Sequence, residues 1–153
     1  MTQQSESIGV DFFFGLGAQI GAIHDKVMGM GSDDGCTYQA GFVLQVPLSG
    51  GAGTLDESPQ LAPVRGQCWS IRRLNSWGYT AGQVQFQING MEPVWTFNAP
   101  ANPPALPQCF GRGECLLQPG DRLVVVATGI TGIVNIAVAP DAFPYWHLGR
   151  YLR

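Results

Sequence analysis

The chain has 153 residues, of which 45% are hydrophobic and only 12% charged, about half the charged share of an average soluble domain. That balance excludes a disordered polyelectrolyte, and the length suits one domain able to bury a real core. The net charge of −3 and a sequence pI near 5.1 leave no basic stripe of the kind that binds nucleic acid.

The 21 glycines and 11 prolines point to many short strands joined by turns in place of long helices. The charges are unevenly spread. Residues 1–63 carry seven acids and one base, a net of −6, whereas residues 64–153 carry four acids and seven arginines, a net of +3. In an assembly, an acidic arm would lie on a neighbour's basic body.

Met1 to Ser7 lacks the basic start of a secretory leader. The apolar run Phe12–Ile23 has 12 residues, short of the roughly 20 that span a bilayer, so no membrane partner is expected. Ile8–Gly15 reads as a short strand and Ala18–Met28 as a short helix or irregular segment, both weakened by glycine. Gly29–Gly35 is a turn-rich break. Residues 1–39 are therefore expected to be an irregular N-terminal arm or linker, and residues 40–153 the folded body.

From Ala40 onward a two-residue period takes over. Gly41–Val46 predicts a strand stopped by Pro47, residues 49–63 a loop, and Cys68–Leu74 a second strand. In Gln83–Asn89, Val84, Phe86 and Ile88 alternate with Gln83, Gln85, Gln87 and Asn89, the pattern of a sheet with one dry face and one wet face. Asn89-Gly90 is a hairpin turn signal whose partner strand is Val94–Phe97. Four prolines within residues 98–107 predict an exposed, semi-rigid loop.

Gly113–Gln118 reads as a short strand, and Gln118-Pro-Gly-Asp121 as a type II turn. Leu123–Ala127 and Ile133–Val138 then complete a meander, with Gly129–Gly132 as the turn between them. Strands at this spacing predict an all-β fold, an antiparallel β-sandwich or a jelly-roll-like barrel. The tail from Phe143 to Arg153 holds four aromatics, and it either caps the barrel end or docks on another subunit.

Chemistry-bearing patterns are sparse. His24 and His147 are far apart, and Cys36, Cys68, Cys109 and Cys115 form no Cys-x-x-Cys pair, so no metal site is expected. Cys68 reads as a small core residue. The lack of a leader favours free thiols, the alternative being a Cys109–Cys115 bridge around Phe110–Glu114. Gly15–Gly21 imitates a dinucleotide loop, but its third glycine is one position late and no βαβ unit follows, so no cofactor is expected. No serine lies in Gly-x-Ser-x-Gly, and carboxylates in the body are few. The expectation is a protein that is not an enzyme, with no catalytic residues. Trp69, Trp77, Tyr79, Trp95, Tyr145, Trp146 and Tyr151 are candidates for a sugar-stacking platform, set against core or interface roles.

Arg112–Ile133 resembles a strand–turn–strand unit of small virion proteins of tailed bacteriophages. Trp69–Leu74, Val84–Gly90 and the closing Ala137–Trp146 fit the same layout. The resemblance covers about residues 65–150 and rests on strand and turn motifs. It implies a β-sandwich structural subunit, a capsid decoration (cement) protein or a head or tail fibre subunit, located in the virion after assembly in the host cytoplasm. Its expected partners are further copies of itself and other virion proteins. Phe12, Phe13, Phe14, Ile20, Phe143, Tyr145, Trp146 and Tyr151 are the expected intersubunit contacts. The alternative function is a module that binds host glycan.

Overall fold

The computed structural model describes residues 37–38, 41–101, 106–150 and 152. The chain divides into two compact units, Met1–Tyr38 and Gln39–Arg153. The short strand β1 (Thr37–Tyr38) belongs to the first. The second contains β2 (Phe42–Val46), β3 (Gly53–Leu55), β4 (Gln67–Ile88), β5 (Pro93–Asn98), β6 (Gln108–Cys109), β7 (Leu116–Leu117) and β8 (Leu123–Pro144). These seven strands form one antiparallel sheet, so the all-β expectation holds.

The sheet is organised by β4 and β8, each 22 residues long. Drawn straight, such a strand would span about 70 Å, several times the roughly 13 Å radius of gyration of a body of about 100 residues. Both strands therefore bend. They pair with each other from Gln67↔Pro144 to Ile88↔Leu123, and the register shifts three times between Trp77 and Gln83. Gly78 and Gly82 on β4 and Gly129 and Gly132 on β8 all have positive φ in this region. The bulges and glycines make a corner in a continuous ribbon.

On one side of the corner the strand order is β2–β8–β4, with β6 and β7 on the far edge of β4. On the other side the order is β3–β8–β4–β5. The two halves share one hydrophobic core: Ile71, Leu74, Val134 and Ile136 from the first meet Val84, Phe86, Leu123 and Val125 from the second. A single sheet folded onto itself thus produces a sandwich-like body. Within it, Phe86 meets Phe97 edge-on at 5.8 Å between ring centroids, and Phe42 is tilted against Trp69 at 6.1 Å.

The corner corrects the expected meander. Gly129–Gly132 does not reverse the chain; it lies inside β8 and carries that strand round the bend. Likewise Cys68–Leu74 and Gln83–Asn89 fall on one strand and its end. Turn-rich sequence marks a sharp change of direction, and here the second strand bends with the first so that the ladder continues. The expected exposed loop also needs amendment. Ala101 is fully buried, and its N–H donates to the Tyr79 carbonyl while its carbonyl accepts from the Gly78 N–H, both at 2.9 Å. Ala99 N–H donates to the Gly82 carbonyl at 3.0 Å. These bonds satisfy backbone groups that the bulged corner frees from the ladder.

Two smaller differences have similar causes. The expected loop 49–63 contains β3 and a 3₁₀ turn at Pro59–Leu61, started by Pro59 and capped by Ser58. The strand expected at Gly113–Gln118 shrinks to β7, because Glu114 N–H donates to the Gly111 carbonyl and turns the chain first. The hairpin was legible as it stands: Asn89 and Gly90 adopt φ of 56° and 71°, the paired left-handed residues of a type I′ turn. Pro93 opens β5, an edge strand where its missing N–H is tolerated.

A Cβ on Gly82 would stand 2.5 Å from the Thr128 carbonyl oxygen and 2.6 Å from Gly129 backbone atoms, whereas one on Gly90 would meet nothing within 4 Å. Gly82→Ala should therefore cost on the order of 3 kcal/mol or more, and Gly90→Ala about 1 kcal/mol. Urea unfolding of the two variants checks this; equal losses would mean that the corner is not closely packed.

Candidate functional site

Where β4 enters the sheet, both of its faces are buried. Trp69 and Ile71 point to the core, while Cys68 and Ser70 lie on the opposite face beside Phe143 and Asp141 of β8. Ser70 stands directly across the ladder from Asp141, and its Oγ accepts from the Gly113 N–H at 3.1 Å. Asp141 is only 4% exposed. Its carboxylate lies 3.5 Å from a guanidinium nitrogen of Arg72.

The backbone explains how Arg72 reaches it. Ile71 pairs with Pro140 and Arg73 with Ala139, so Arg72 is the extra residue of a bulge, a device that re-aims a side chain. The same stretch holds the excursion through β6 and β7: Ile71 N–H donates to the Cys115 carbonyl at 2.8 Å, and Phe110 N–H to the Arg72 carbonyl at 3.0 Å. Glu114 folds back to accept from the Gly111 N–H. The result is a buried carboxylate beside the partly exposed Arg72, across the ladder from Ser70, which is itself bonded to the turn at Gly113. The edge excursion is held to β4 by the bonds of Ser70 Oγ, the Ile71 N–H and the Arg72 carbonyl to Gly113, Cys115 and Phe110.

Burial raises the Asp141 pKa, opposed by the attraction of Arg72 and Arg112. A carboxyl whose folded pKa lies above its unfolded value stabilises the fold when protonated. That contribution is complete below the unfolded pKa and is lost as pH rises through the folded one. Asp141→Asn should thus raise the denaturation midpoint at pH 7, with the gain fading as the pH falls toward 3. A variant less stable than the parent at pH 7 would show that the arginine attraction outweighs burial.

The three thiols among the described residues differ in setting. Cys68 and Cys115 are buried and Cys109 is exposed, and all three are free. Burial pushes the thiol pKa of Cys68 and of Cys115 up to about 11, with a smaller contribution from Asp121 at Cys68. Cys115 belongs to the core, whereas Cys109 faces Arg73 across the ladder, so the two are not bridged. Among these three, only Cys109 should be alkylated by iodoacetamide in the native protein at neutral pH. Peptide mapping reads this directly, and modification of Cys115 without denaturant would contradict its burial.

The expected contact residues divide. Phe12, Phe13, Phe14, Ile20 and Tyr151 lie outside the described residues. Phe143 does not serve as a surface contact, because it is fully buried opposite Cys68 in the ladder. Alternation along β8 sends Ala142 to the core and Phe143 to the opposite face, where it is nevertheless buried beside Cys68. Tyr145 and Trp146 begin the 3₁₀ segment Tyr145–Arg150 and are 51% and 66% exposed. Tyr145 N–H donates to the Gly66 carbonyl at 3.0 Å, which places this segment beside the exposed Val64, and Leu152 is exposed as well.

The seven aromatics do not form one platform. Trp69 and Tyr79 are buried in the core, and the Tyr79 hydroxyl reaches the Phe97 carbonyl at 3.5 Å. Trp95 sits at the rim of the core face, 39% exposed and edge-on to Phe97. Trp77 is half-buried on the opposite, outer face. The Asp141 cluster was missed in the sequence, although a lone acid within Ala139-Pro-Asp-Ala-Phe143 was its signal. Its arginine partner depends on a bulge that no periodicity shows.

Among the described residues there is no group of three or more His, Cys, Asp or Glu side chains arranged to hold a metal ion, and no helix long and apolar enough to cross a membrane. Comparison with known proteins gives no match to a family model, to a curated protein or to a solved structure.

Proposed function

We propose that this chain is a structural subunit of a tailed-bacteriophage particle, a capsid decoration or head or tail fibre protein, that works through protein–protein contacts with copies of itself and with other virion proteins. The observation that carries this reading is the exposed pair Tyr145 and Trp146, set immediately after the buried end of the central ladder. Large aromatics fixed to a rigid element at the surface are the residue types that dominate binding energy at protein interfaces. The strand and turn motifs between Trp69 and Ile133, with their resemblance to phage virion subunits, supply the particle context.

The energetics suit repetition. Apolar burial contributes about 25 cal/mol per Å², and much of it is offset by the cost of association. A modest interface therefore binds weakly once and strongly when copied over a shell. In such a subunit the folded β body supplies stiffness, and its protruding aromatics supply adhesion.

Native mass spectrometry and particle incorporation test the proposal with the double variant Tyr145→Ala/Trp146→Ala. The parent should form a discrete oligomer or join purified particles. The variant should lose that association while its thermal midpoint stays close to the parent's, because both side chains are exposed. A parent that stays monomeric and is absent from particles, or a variant that associates normally, would overturn it.

A further inference from the structure

The outer face of the first half of the sheet presents a surface that the proposed assembly role does not use. Along β4, Leu74 and Ser76 are buried, so Asn75 and Trp77 point the other way. Along β8, Val134, Ile136 and Val138 are in the core, leaving Asn135 and Ala137 on the outer side. On β2, Val46 is buried while Val43 and Gln45 are exposed. The register then aligns these residues in two rows across three strands. Gln45, Asn135 and Trp77 form one row, and Val43, Ala137 and Asn75 form the next.

From this we infer that the outer face carries a binding site for a neutral carbohydrate chain, with Trp77 as the stacking ring and Gln45, Asn135 and Asn75 as the hydrogen-bonding amides. Adjacent strands lie about 4.8 Å apart and alternate residues about 7 Å apart. The two rows thus span roughly 10 by 7 Å, a flat area on the scale of a sugar ring or two.

Three features select this ligand. An indole ring offers an apolar face to the C–H face of a pyranose and tolerates its hydroxyls at the edge. Side-chain amides both donate and accept, which matches the dual character of sugar hydroxyls. Neither row contains a charged side chain, so the two rows have no charge with which to select an ion; Arg73 enters in the row beyond, opposite Ala139. Asn75 Oδ1 already accepts from the Ser76 N–H at 2.8 Å, leaving its NH₂ group outward as a donor. Small residues keep the floor low: Ala137 stands between Val43 and Asn75. The Asn135 amide leans toward Gly78, where a Cβ would come within 3.0 Å of its nitrogen. That places the amide beside Trp77.

The inference stands apart from the proposed assembly role, which uses the Tyr145–Trp146 segment. It is tested by titrating the ¹⁵N-labelled full chain with neutral hexasaccharides of glucose (α- and β-linked), mannose and galactose to millimolar concentration, following backbone and side-chain N–H signals. The expected result is a saturable shift, with at least one of these chains, of the Trp77 indole N–H and of the Gln45, Asn75 and Asn135 side-chain amides. Trp77→Ala should weaken binding about tenfold or more, whereas Trp95→Ala should leave it unchanged. Asn135→Ala and Gln45→Ala, which remove only outer-face amides, should weaken it without altering the fold. Their retained spectra keep the test valid if the Trp77 variant unfolds. No shift at this face with any of the four chains would overturn the inference. Shifts that survive the Trp77 and Asn135 substitutions would do the same. Signals from this face that change on dilution without sugar would assign it to a second copy of the chain instead.

Discussion

The antiparallel ladder between β4 and β8 is the constraint on which the rest of the body depends. Two 22-residue strands paired along their whole length cannot stay straight and also enclose a core. Their shared bend turns one ribbon into two facing layers, and every other strand in the body attaches to one of these two. β2 and β3 line the free side of β8, while β5, β6 and β7 line the free side of β4. The glycine corner is thus the point where backbone geometry is converted into a hydrophobic interior.

The corner also sets what the edges must do. Strand-to-strand bonds are interrupted at the bulges, and the freed groups are taken up by segments from elsewhere. Ala99 and Ala101 bind the β4 side, and the Gly51 carbonyl accepts from the Ile130 N–H at 2.7 Å on the β8 side. Proline-rich and glycine-rich stretches that look like spare loop are therefore structural clips. At the far end of the ladder the backbones of Ile71 and Arg72 play a comparable part, bonding to Cys115 and Phe110 of the β6–β7 excursion. Asp141 pairs there with Arg72 across the ladder at the expense of desolvating a carboxylate.

Much of the fold was legible in the sequence because its signals are local. Period-2 alternation in Gln83–Ile88 marks a strand with one buried face, and Asn89-Gly90 marks the hairpin that follows. What stayed hidden depends on the partner strand. Gly129–Gly132 has the composition of a turn, and only the simultaneous bend of β4 shows it to be a corner. The exposed Tyr145 and Trp146 were readable as tail aromatics, yet Phe143 beside them is buried next to Cys68 on the face opposite the core, a neighbour that only the ladder register supplies. The outer-face rows of Trp77 were likewise invisible, because they join residues as distant as Gln45 and Asn135.

The ladder has a further consequence for how the molecule comes together. Its nearest pair, Ile88 with Leu123, is 35 positions apart in the chain, and its farthest, Gln67 with Pro144, is 77 apart. Loop-closure entropy favours starting at the near end, where the β4–β5 hairpin is already local. Zippering then proceeds through the corner toward Gln67 and Pro144, and β-rich topologies of such wide separation fold slowly. On that order the segment after Pro144 is placed last. Tyr145 and Trp146 therefore reach their final positions only in molecules whose central ladder has closed throughout, so incompletely folded chains lack the finished surface.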